Sequence, residues 1–171
     1  MKNKPRTRLS RVMQWIWPML SVGMMVLLFY SSSMPGDDSG AASMGIIDRL
    51  KNALPPLRLF DADTLHFLLR KGAHFTSYFV LAFFTTHAFK YYLWQPRLPR
   101  VESAAKPSPW KLFFVAWGIA SLYGVADEIH QYFVPGRACL FSDMMINAAG
   151  ALFGAGLVVL YLMRRYSHRM E

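Results

Sequence analysis

Residues Met144 to Met163 form a run of twenty without a formal charge. A helix rising 1.5 Å per residue needs roughly 20 such residues to cross the hydrocarbon core of a bilayer. Comparable apolar runs extend from Val12 to Tyr30, also uncharged, and from Ala73 to Trp94, which carries His74 at one end and His87 with Lys90 at the other. A fourth, from Trp110 to Ala126, is short unless it continues into Asp127–Phe133. Spans at about 12–30, 73–94, 110–130 and 144–163 predict an all-α, polytopic membrane bundle of about four transmembrane helices. Composition agrees, since 17% of the 171 residues are charged, against about 25% in ordinary globular domains. That deficit disfavours disorder and soluble nucleic-acid binders, so nucleic acid is not an expected partner. The single Cys139 excludes an internal disulfide and any Cys-rich metal centre.

The first run follows basic residues, as a secretory signal would. It is long for a signal core, contains two Trp, and no A-x-A site follows it, so a retained first helix is expected. The net charge of +9 then becomes a matter of sides. Tail 1–11, linker 95–109 with its flanking residues, and tail 164–171 together carry thirteen Lys and Arg. The segments 31–72 and 127–143 carry six, together with eight acids. Lys and Arg concentrate on the cytoplasmic side of membrane proteins. Both termini and the Pro-rich linker are therefore expected inside, with outer loops at 31–72 and 131–143. The pattern implies a membrane crossed several times, with both termini on its cytoplasmic side. Asp63 is expected to cap a helix that starts at Thr64 and runs into the second span.

Helices in lipid associate through small residues. Ala116, Ala120 and Gly124 form one ridge, and Gly150 and Gly154 form a GxxxG pair beside Ala151 and Ala155. Packing within the bundle accounts for these faces, and oligomer formation is the alternative use.

Polar residues gather at one level of the expected bundle. Lys71 and His74 share a helix face with Tyr78 one turn deeper. Asp127, His130 and Gln131 follow i, i+3, i+4 spacing, with Glu128 pointing to the side. Ser142 and Asp143 lie at the expected cap of the last span, with Asn147 one turn inside. Ser32 closes the first span. Two readings are open: interfacial ion pairs with a helix cap, or a polar pocket facing outward. In a pocket, Arg137 and Lys71 can hold a phosphate or carboxylate headgroup. Asp127, His130 and His74 can orient it or act as acid–base groups. No metal or other cofactor is expected, because the Asp-Glu-x-His run lacks a zinc spacing such as H-E-x-x-H. Ser32, Ser33 and Ser142 lie in no nucleophile motif.

The chain resembles the VanZ-like family of bacterial membrane proteins. The resemblance rests on Ser31-Ser32-Ser33-Met34-Pro35-Gly36, on Lys71-Gly72-Ala73-His74-Phe75, and above all on Gly124 through Arg137, which reads GVADEIHQYFVPGR. Ser142-Asp143 and Asn147-x-x-Gly150 complete it. It implies a small α-helical integral membrane protein of the cell envelope. The member that names the family is associated with low-level teicoplanin resistance, so an effect on glycopeptide susceptibility is a possible property of relatives. Three functions are open: binding of an anionic lipid-linked or peptidoglycan-related group; hydrolysis or transfer with Asp127 or His130 as acid–base; and a non-catalytic scaffold for another membrane protein. The partners implied are membrane lipid, a lipid-linked envelope precursor, or a second membrane protein.

Overall fold

The computed structural model describes residues 8–93 and 108–167, and all the regular structure in them is helical. Residues 1–7, 94–107 and 168–171, which include most of the inner linker and much of both tails, lie outside the described residues.

Four long helices hold the expected spans: α1 (Arg8–Ser32), α3 (Ala62–Leu93), α4 (Pro109–Tyr132) and α5 (Phe141–Ser167). A further helix, α2 (Gly36–Ala53), follows α1 and leads into a 3-10 turn at Pro55–Leu59. Much of the segment read as an outer loop, 31–72, is thus helical. Asp37 and Asp38 sit in the first turn of α2, where they complement its dipole. Ile47 is its one buried apolar side chain, and α2 packs on α3.

Helices α1, α4 and α5 are long and apolar enough to cross a membrane. Helix α3 is less apolar, and it packs against α1, α2, α4 and α5. A helix lined by protein rather than lipid can carry His74, Thr85, Thr86 and His87, since neighbours satisfy them. Ser21 on α1 meets Thr85 at 2.8 Å, while Thr85 donates to the Leu81 carbonyl at 2.8 Å. Thr86 donates to the Ala82 carbonyl, and His87 stacks on Trp17 of α1. The outer faces of α1 and α5 expose Trp15, Met19, Val22, Val26, Phe153, Leu157 and Leu160. Such surface suits acyl chains and not water.

Local signals fix the helix ends. Ser108 caps α4 by accepting from the Lys111 amide at 3.3 Å, with Pro109 at the first helical position. The α3 start differs from expectation. Asp61, not Asp63, is the cap: its carboxylate accepts from the Thr64 amide and hydroxyl, both at 2.7 Å. Those bonds hold the Asp61 carboxyl below the usual carboxylate range. Helix α4 does continue through Asp127 to Tyr132. Helix α5 begins at Phe141, three residues ahead of the expected span, which places Asp143 in its first turn instead of at the cap.

The small-residue faces are spent inside the bundle. Ala116, Ala120, Ala151 and Ala155 are fully buried around Tyr78, Leu81 and Ala82. On α5, Gly150 and Gly154 press on the backbone of α3. A Cβ at either would lie 2.2 Å from the carbonyl oxygen of Phe75 or Phe79. Gly118 on α4 has nothing within 4 Å of that position. Gly154→Ala should therefore lower stability by about 1–3 kcal/mol through overpacking. Gly118→Ala should be neutral or raise it by up to about 1 kcal/mol through helix propensity. Thermal unfolding of the purified variants in detergent reads both signs.

Candidate functional site

The helices alternate in direction, so one end of the bundle gathers the end of α1, the start of α3, the end of α4 and the start of α5. Asp127 and Glu128 lie side by side near the end of α4, and both are buried. Consecutive helical residues are about 100° apart around the axis, so the two carboxylates face different neighbours. Asp127 turns towards α1: Ser32 donates to its Oδ1 at 2.5 Å, and Gln131 Nε2 reaches Oδ2 at 3.4 Å and the Ser32 hydroxyl at 3.2 Å. Glu128 does not point aside as expected but into the bundle. Its Oε2 accepts from the Leu140 amide at 3.1 Å, one of the donors that the start of α5 leaves unpaired.

The remaining oxygen of Glu128 faces α3. Its Oε1 lies 3.7 Å from His74 Nδ1 and has no hydrogen bond among the described residues. His74 Nδ1 is 3.0 Å from Asn147 Oδ1 on α5. Lys71, one turn earlier, is ion-paired with Asp143 and donates to Ser142 at 3.4 Å. Its ammonium is thus engaged by α5, whereas the sequence placed it with Arg137. His74, Glu128 and Asp143 each offer a donor atom within 4.8 Å of the others.

Two glycines bring the loops together. The chain passes from α4 through Pro135 and Gly136, whose φ is +71°, a left-handed conformation suited to glycine. The Gly36 amide donates to the Pro135 carbonyl at 2.9 Å. A Cβ on Gly36 would lie 2.0 Å from the Gly136 carbonyl oxygen. This contact joins the Ser-Met-Pro-Gly and Pro-Gly-Arg blocks, and it delivers Arg137 to the end of α1. Arg137 donates to the carbonyls of Met34 and Ser31, each at 3.1 Å, capping the negative end of that helix.

A cavity of 310 Å³ opens between α1, α2, α3 and α4 at this end. Asp127, Gln131, Ser32, His74 and Arg137, all read as site residues from the sequence, line it. So do Tyr78, whose buried hydroxyl has no hydrogen-bond partner among the described residues, and Arg70. Arg70 has no ion-pair or hydrogen-bond partner among the described residues. It lies four residues before His74, on the same stripe of α3; that spacing was the available signal. Ser39, Ser43 and Ile46 of α2 complete one wall. Burial and the Arg70 guanidinium pull Arg137 below the usual arginine range, against the opposing pull of Asp127 and Glu128. Two cations of like sign share the cavity, with one of them committed to carbonyls.

The other expected residues fall elsewhere. His130 stacks on Phe29 at 4.6 Å, with Nε2 3.0 Å from Ser33 Oγ, and lines no part of the cavity. Ser33 donates to the Phe29 carbonyl at 2.7 Å, so its oxygen meets His130 as an acceptor. Glu128, Ser142, Asp143 and Asn147 belong to the cluster around His74 and Lys71. His74 alone belongs to both groups.

These features define an α-helical membrane protein with a buried polar constellation and a small cavity at one end of the bundle. The chain matches the VanZ/LLP1 family model over residues 17–163 and belongs to that family. No curated protein and no solved structure matches it.

The site's own bonds carry a stability consequence. Ser32→Ala removes the hydroxyl donor from a buried carboxylate and should cost about 1–3 kcal/mol. Ser33→Ala, at the exposed neighbouring hydroxyl, should change stability by less than about 0.5 kcal/mol. Chemical or thermal unfolding in detergent distinguishes the two.

Proposed function

We propose that this chain is a multi-pass protein of the bacterial cytoplasmic membrane whose polar end faces outward and binds an anionic, lipid-linked envelope group. The uneven distribution of Lys and Arg supports that orientation. The observation that carries the reading is Arg70, a half-buried cation without a partner among the described residues, sharing a small cavity with Arg137. Placing two guanidinium groups together is unfavourable unless an anion joins them. A phosphate or carboxylate between the two satisfies both, and arginine's planar fork suits either group. The hydroxyls of Tyr78, Ser39 and Ser43 supply further polar contacts, and Asp127 limits how much negative charge the cavity accepts. A volume of 310 Å³ admits a headgroup and not a whole lipid, so an attached chain would leave between helices into the bilayer.

The hydrolase or transferase reading has less support. Both oxygens of Asp127 accept hydrogen bonds, and the Ser33 proton is already given to Phe29. A change in glycopeptide susceptibility would follow from sequestering a peptidoglycan-related lipid.

Arg70→Gln tests the reading more cleanly than a change at Arg137, which also holds α1. Purified protein titrated with a polyprenyl phosphate in detergent should bind it saturably. Arg70→Gln should weaken that binding about tenfold or more, the loss of one charge-assisted contact. Equal affinity in wild type and Arg70→Gln refutes the cavity as the anion site.

A further inference from the structure

We propose that His74, Glu128 and Asp143 form a binding site for one divalent transition-metal ion, of the zinc or manganese type. The inference is independent of what occupies the cavity. Three helices supply the donors: His74 Nδ1 from α3, a carboxylate oxygen of Glu128 from α4 and one of Asp143 from α5, all within 4.8 Å of one another.

The cluster is more than a gathering of acids. Glu128 is fully buried, and its Oε1 has no hydrogen-bond partner among the described residues. Its other oxygen is held by the Leu140 amide, so the carboxylate cannot turn to solvent for relief. The separation of Oε1 from His74 Nδ1 is 3.7 Å, too long for a hydrogen bond. Two donors on one tetrahedral ion, each at about 2.0–2.1 Å, stand about 3.3–3.5 Å apart. The pair needs only a small contraction to share an ion. Asn147 Oδ1, 3.0 Å from the same nitrogen, is placed to become a fourth ligand. One imidazole with oxygen donors suits zinc or manganese better than calcium.

Charge points the same way. Lys71 pairs with Asp143, whereas among the described residues no Lys or Arg forms an ion pair with Glu128. A dication would neutralise both carboxylates and repel Lys71, whose side chain is 19% exposed and has a path to solvent. Lys71 is then a tethered cation that competes with the metal for Asp143. The ligands lie far apart in sequence, at 74, 128 and 143, so no linear spacing announces them.

The full chain, purified in detergent and stripped with chelator, is titrated with Zn²⁺ and with Mn²⁺ by calorimetry. One ion per chain is expected for at least one metal. Glu128→Gln, which preserves shape, should weaken binding at least tenfold, and Lys71→Met should tighten it. Absence of saturable binding overturns the site. So does equal affinity in Glu128→Gln, which would mark adventitious binding at other histidines, or failure of Lys71→Met to bind more tightly. The Lys71 variant keeps the test decisive should Glu128→Gln not fold.

Discussion

Two adjacent carboxylates buried at the end of α4 organise this molecule. Burying an unsatisfied carboxylate near or within a membrane costs several kcal/mol, so Asp127 and Glu128 can exist there only with partners in place. Each draws its partners from a different helix. Asp127 is satisfied by Ser32 of α1 and Gln131 of its own helix. Glu128 takes the first amide of the α5 cap and faces His74 of α3. Helices whose apolar faces pack with little directional preference thereby acquire one register at this end.

The loops complete that arrangement by backbone contact. Gly36 against Gly136 leaves no room for a side chain on the former, and the clasp sets Arg137 on the carbonyl end of α1. Below it, the glycines of α5 bring that helix against the carbonyls of α3. Close packing in the membrane half holds α3 still, and α3 then presents Arg70 and His74 to the cavity and Lys71 to α5. Asp127 both ties α4 to α1 and lines the cavity.

Much of this was legible in the sequence, for identifiable reasons. Uncharged runs of about twenty residues marked α1 and α5 because lipid allows little else. Helical spacing collected Asp127, Gln131, Lys71, His74 and Asn147 at one level, which is where they lie. What spacing could not supply was direction between helices. It gave Lys71 to Arg137, although Asp143 is its partner, and it grouped His130 with Asp127, although His130 turns outward onto Phe29. Glu128 lies off the Asp127 stripe, which reads as a sideways direction; that same offset carries it into the bundle. Helix α2 carries one buried side chain among polar and small residues, so its pattern was too weak to separate from a loop. Arg70 has only its i, i+4 relation to His74 as a sequence signal, and Asp61 is the cap because Thr64 stands three residues on, where an N-cap side chain reaches the backbone amide.

In the proposed function the cavity between α1, α2, α3 and α4 holds a phosphate-bearing lipid headgroup. Native mass spectrometry of the protein extracted from its own membranes reads this directly. One phosphate-bearing lipid should remain bound per chain after mild delipidation. It should be absent from Ser43→Trp, in which an indole from α2 fills the cavity. A wild-type protein free of such lipid, or equal retention in the filled variant, would contradict the account.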